Sequence, residues 1–76
     1  MAIDLSQIGA NVAAARIRSG MSQKELGEKL GVDQSMVSLW ERGKFEIRLT
    51  QLVRIADVLG VPLDSLMGRE TEEGSA

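Results

Sequence analysis

Gln34, Ser35, Ser38 and Leu39 fall on one side of a short helical stretch, and Arg42, Lys44 and Arg48 follow it closely. Carboxamides and hydroxyls donate and accept hydrogen bonds, and guanidinium and ammonium groups bind anions, so the chemistry on offer is recognition. Catalysis finds little to work with. The chain has no Cys and no His, which removes disulfides, thiolate or imidazole metal sites and any scheme needing either side chain. Carboxylates such as Glu25 and Glu28 lie on exposed helix faces, and no nucleophile–base pair or glycine-rich phosphate loop accompanies them. No catalytic residue, metal ligand or cofactor is assigned.

The elements that must hold these groups can be read from local signals. Ser22 followed by Glu25 is a capping box, in which the hydroxyl serves one free backbone N–H and the carboxylate reaches back to another. A helix therefore starts at Gln23, buries Leu26 and Leu30, and stops at Gly31. After one turn of chain Asp33 caps a second helix, from Gln34 to Arg42. Val37 and Trp40 occupy its inner side, opposite Gln34, Ser35, Ser38 and Leu39. With one Trp, one Phe and no Tyr there is no stacking surface, so Trp40 is a core residue. Met36 is read as filling space beneath the helix, with contact to a sugar backbone as the alternative.

An earlier helix, capped by Asp4 or Ser6, runs to about Ser19 with Ile8, Val12 and Ala15 buried, and Gly20 ends it. Beyond the basic loop Leu49, Leu52, Ile55, Ala56 and Leu59 recur at helical spacing and form the next buried stripe. Gly60 stops that helix, and Pro62 opens a last short one ending near Met67. Phe45, Ile47, Val53, Val58 and Met67 exceed what one small core can hold, which makes some of them candidates for a pairing face.

A chain of 76 residues buries only about 60% of its unfolded surface, so the core is marginal and oligomerisation is expected on size alone. Residues 1–68 read as one domain and 69–76, with no apolar residue larger than Ala, as a mobile acidic tail. That tail carries the whole net charge of −2, leaving eight basic against eight acidic groups elsewhere. Nothing resembles a signal peptide or a membrane span, so a cytoplasmic location is expected and no membrane partner. No small-molecule ligand is evident.

The motifs SQKELGEKLGV and WERGK, with IGANVAAARIRSG before them and LTQLVRIADVLGVPLDSLM after, resemble the phage repressor, Cro and controller-protein family of the xenobiotic-response-element type. The likeness runs from roughly Ile8 to Met67. It implies an all-α, compact five-helix lambda-repressor-like domain with the helix-turn-helix as helices 2 and 3. It also implies a bacterial or phage-encoded homodimer, paired through its C-terminal half, that regulates transcription from a pseudo-palindromic operator in double-stranded DNA.

In that geometry the second helix of the motif enters the major groove and its first residues meet base edges. Gln34 and Ser35 are then the leading base contacts, with Gln34 able to pair with adenine, and Ser38 and Leu39 share the face. Leu39 either touches a thymine methyl or is a tolerated surface leucine. The resemblance gives Gln23 a phosphate contact and a brace on Gln34, and gives phosphate contacts also to Arg42, Lys44 and Arg48. It pairs Arg16 with Glu41 as a structural device. Asn11 and Ala13 stand where relatives commonly carry arginine. Between Arg16 and Arg54 there are eight basic and five acidic residues, a modest excess that predicts a shallow salt dependence. The alternative is a protein-interaction module, such as an antitoxin or coactivator component, that retains the fold.

Overall fold

The structure, a computed structural model, describes residues 4–68; the tail expected at 69–76 lies outside them. Five helices follow one another: α1 Leu5–Arg18, α2 Gln23–Leu30, α3 Gln34–Glu41, α4 Leu49–Leu59 and α5 Leu63–Met67. Among the described residues there is no strand, and no helix is long and apolar enough to cross a membrane.

Helix boundaries follow from caps and left-handed glycines. Asp4, not Ser6, caps α1, its carboxylate accepting from the Ser6 N–H at 2.9 Å. The capping box of α2 is complete: Glu25 N–H donates to Ser22 Oγ at 3.0 Å and Ser22 N–H to Glu25 Oε1 at 2.8 Å. Hydrogen bonds from Ser22 lower the Glu25 pKa, so this cap is fully formed above the ordinary carboxyl range and fades as pH falls through the lowered value. Gly31, at φ 77°, turns the chain so that Val32 N–H reaches back to the Gly27 carbonyl at 2.9 Å.

Asp33 departs from expectation. It occupies the N-cap position of α3 in extended conformation, but its side chain makes no cap hydrogen bond. It is exposed, where water can serve the free N–H groups instead, and its carbonyl accepts from Met36 and Val37. The main chain rather than a carboxylate starts α3.

The core is one cluster to which every helix contributes. Ile8, Val12 and Ala15 come from α1, Leu26 and Leu30 from α2, Val37 and Trp40 from α3, Leu52, Ile55, Ala56 and Leu59 from α4, and Leu66 from α5. Leu49 does not join them: it is 60% exposed, whereas Ile47 is buried from the preceding loop in its stead. Leu49 opens α4, and a helical repeat cannot say whether the first turn still has a neighbour to cover it. Met36, Val58 and Met67 pack on the cluster, while Phe45 and Val53 stay exposed.

Two contacts bring α1 onto the other helices. Asn11 donates from Nδ2 to the Leu66 carbonyl at 3.0 Å and accepts from Gln7. Its amide ties α1 to α5. Gly9 is buried, and a methyl group there would fall on the carbonyl oxygens of Trp40 and Glu41. The crossing of α1 over the end of α3 is therefore backbone against side-chain-free backbone.

The same crossing is held by charge. Arg16 Nε donates to Glu41 Oε2 at 2.7 Å and Nη2 to Oε1 at 3.0 Å, and Nη1 donates to the Met21 carbonyl at 2.9 Å. Gln23 Nε2 adds a third bond to that carboxylate, at 3.0 Å on Oε1. The side chains of Arg16 and Glu41 are 13% and 5% exposed, and the hydrogen bonds to Glu41 raise the Arg16 pKa, so the guanidinium is charged throughout.

Substituting Gly9 with Ala should destabilise the domain by about 3 kcal/mol, since the clash is with main chain and one helix must move; urea unfolding reads this as a lowered midpoint. Glu41→Ala should cost about 1.5–3 kcal/mol by leaving the partly buried Arg16 without its carboxylate, whereas the double variant Arg16→Met, Glu41→Leu should recover most of it. A double variant no more stable than Glu41→Ala would contradict the stranded-charge account.

Candidate nucleic-acid interface

α3 spans eight residues, about 12 Å at 1.5 Å per residue. Its inner side is fixed by Val37 and Trp40, fully and almost fully buried, so the direction of the other side follows. Gln34 and Ser35 open the helix and are exposed, and Ser38 and Leu39 are partly so. Their backbone is pinned at both ends of the helix. Met36 N–H closes on the Asp33 carbonyl, and Lys44 N–H on the Leu39 carbonyl at 2.9 Å.

The cations expected at phosphates are placed at the far end and beyond. Arg42 is the C-cap of α3, Lys44 lies in the loop and Arg48 precedes α4, all three exposed. Arg48 also borders a shallow groove formed with Val32, Met36, Trp40, Phe45 and Glu46. At the N-cap of α4 it makes no side-chain cap bond, which leaves the first N–H groups of that helix open beside a positive charge. Such a terminus attracts anions. The absence of Ser, Thr, Asp or Asn before Leu49 is the sequence signal for that open terminus.

Gln23 sits differently from expectation. Its carboxamide nitrogen is engaged by Glu41 and not by Gln34, because the carboxylate brought over by α3 is the stronger acceptor. One N–H and the carbonyl oxygen of Gln23 remain for other partners. Two of the eight cations between Arg16 and Arg54 are likewise committed internally. Arg16 belongs to Glu41, and Arg54 donates from Nη2 to the Leu30 carbonyl at 2.8 Å, closing the C-terminus of α2. That leaves Arg18, Lys24 and Lys29 besides the three at the end of α3, all exposed. Among the described residues no group of three His, Cys, Asp or Glu could hold a metal ion.

This architecture is shared with known proteins. The sequence profile of the helix-turn-helix family matches residues 12–66. A hypothetical transcription factor of Neisseria meningitidis serogroup B is 35% identical over 57 residues, covering 75% of this chain and 54% of its own. The restriction-modification controller protein C.AhdI of Aeromonas hydrophila superposes with a TM-score of 0.78 at 30% identity, over 83% of this chain and 91% of that one. Hydroxypropylphosphonic acid epoxidase of S. wedmorenis matches at a TM-score of 0.80 and 31% identity, over 88% of this chain but 36% of the enzyme. The chain spans 40% to 54% of the length of the curated relatives it matches, which are named as transcriptional regulators or transcription factors. With the profile covering residues 12–66, most of its length, the chain belongs to the Cro/C1-type helix-turn-helix family of transcription regulators.

Proposed function

We propose that the protein binds a specific pseudo-palindromic operator in double-stranded DNA as a homodimer and controls transcription, as a repressor or controller protein. The observation that carries this reading is the outer side of α3, where Gln34 and Ser35 stand exposed at the helix start and Arg42, Lys44 and Arg48 flank its far end. Gln34 and Ser35 read base edges, Ser38 and Leu39 border the same groove, and the three cations with Gln23 engage the backbone. No catalytic step is assigned, and a cytoplasmic setting fits a regulator of this kind.

Pairing through the C-terminal half is supported by Leu49 and Val53, one helical turn apart on α4 and 60% and 41% exposed. Arg42, Lys44 and Arg48 of two protomers make six phosphate contacts per dimer, so log affinity should fall with log salt at a slope of about −5, shallow beside the slope of about −10 reached by strongly electrostatic repressors. The same exposed leucine and valine, with Phe45, favour a second reading in which the fold binds another protein. An apolar protein interface would show little of that salt dependence.

Selection from a randomised duplex library at two salt concentrations tests the proposal. An inverted repeat should be enriched with half-sites about one helical turn apart, and Gln34→Ala should lose about 1–3 kcal/mol on it while changing little on unrelated DNA. Equal losses on both duplexes would remove Gln34 from base readout, and a folded protein that enriches no sequence would favour the protein-binding reading.

A further inference from the structure

The two ends of α3 are held by different means. Its C-terminal end is fixed by Glu41, which accepts from Arg16 and Gln23, and by Gly9, against which the Trp40 and Glu41 carbonyls lie. Its N-terminal end, where Gln34 and Ser35 stand, has no side-chain cap. Only Gly31, Val32 and Asp33 separate that end from α2, and the turn they form is tight. Val32 N–H bonds the Gly27 carbonyl at 2.9 Å, and a methyl group at Gly27 would fall 2.7 Å from the Val32 carbonyl oxygen. The start of α3 therefore follows the last residue of α2.

That last residue is Leu30, and a side chain from α4 holds it. Arg54 donates from Nη2 to the Leu30 carbonyl at 2.8 Å and from Nη1 to Gln51 Oε1 at 3.3 Å. The Leu30 carbonyl has no partner within its own helix, and a guanidinium suits it both as a donor and as a cation at the negative end of the helix dipole. Among the described residues no carboxylate pairs with Arg54, so its charge is turned to two neutral acceptors, one on α2 and one on α4. We propose that Arg54 is a positioning residue for base readout, setting the start of α3 through Leu30 and the turn without touching DNA. This rests on α3 being the base-reading helix. Hydrogen bonds to base edges weaken steeply with misalignment, whereas flexible Lys and Arg side chains follow a phosphate that has shifted. Loss of Arg54 is thus felt in sequence preference and not in general affinity. Arg54 lies about 100° around α4 from Val53, so replacing it leaves the exposed pair Leu49 and Val53 as it is.

The test compares the wild type with Arg54→Met, which keeps the stem but no donor, and Arg54→Lys, which keeps one charged donor group. Arg54 is exposed, so neither change opens a cavity, and circular dichroism checks that both variants fold. On the duplex enriched by selection Arg54→Met should bind about tenfold more weakly, part of the discrimination that a bidentate base contact carries. On unrelated DNA its affinity and on the operator its salt slope should stay at the wild-type values, and Arg54→Lys should recover most of the loss. In nuclear magnetic resonance spectra of the DNA-free protein, the amide signals of residues 31–35 should shift in Arg54→Met while those of residues 42–44 stay in place. Equal losses on both duplexes, with a slope shallower by about 2 per dimer, would make Arg54 a phosphate contact and overturn the inference. A lowered melting midpoint with an unchanged ratio of operator to unrelated binding reduces Arg54 to a stabilising contact and overturns it too. Unmoved amides at residues 31–35 do so without any DNA, while operator binding stands. Failure of the wild type to enrich any duplex overturns both readings.

Discussion

A single carboxylate decides how three helices meet. Glu41, at the end of α3 and 5% exposed, accepts two bonds from Arg16 of α1 and one from Gln23 at the start of α2. Removing two charges from water costs several kcal/mol per ion, and their attraction recovers this only when geometry is good and the remaining donors are satisfied. Both conditions hold: the guanidinium meets Glu41 through two nitrogens and spends its third on the Met21 carbonyl. The net gain over a well-packed apolar pair is small, so what the cluster contributes is placement. An apolar contact tolerates sliding, whereas a forked pair between planar groups does not.

What α3 offers to a partner depends on that placement. The helix is short, and its inner side is committed to Val37 and Trp40, so any rotation that moved Gln34 and Ser35 would pull an aromatic ring out of the core. Gly9 reinforces the arrangement by letting α1 lie against the Trp40 and Glu41 carbonyls. Rigidity matters for base readout because hydrogen bonds to base edges weaken steeply with misalignment. The outer residues are precise because the inner ones have no freedom.

Charge is used sparingly. The chain is acidic by two charges, and Arg16 and Arg54 serve internal carboxylate and carbonyl groups. An arginine can close a helix C-terminus or meet a phosphate, but not both at once. Of the six cations left over, Arg42, Lys44 and Arg48 lie at the end of α3 and before α4, next to the uncapped first turn of α4, where a fixed partial charge adds to them.

Local sequence determined a good deal. The capping box of α2, the Gly31 and Gly60 stops and the inward direction of Trp40 rest on residues three or four apart, whose geometry is the same in any fold. The outward direction of Gln34, Ser35, Ser38 and Leu39 was legible for that reason. Tertiary structure alone decided the rest. Asn11 reaches Leu66 across 55 residues and Arg54 reaches Leu30 across 24, Gln23 turns to Glu41 instead of Gln34, and Asp33 is left without a cap bond. Leu49 and Ile47 exchange places for the same reason, since periodicity marks the apolar side of a helix but not whether another element arrives to cover it. Nothing in the residues around Gly9 shows that the Trp40 and Glu41 carbonyls will lie against it. Each of these outcomes depends on which distant segment comes within reach, and no spacing within one segment carries that information.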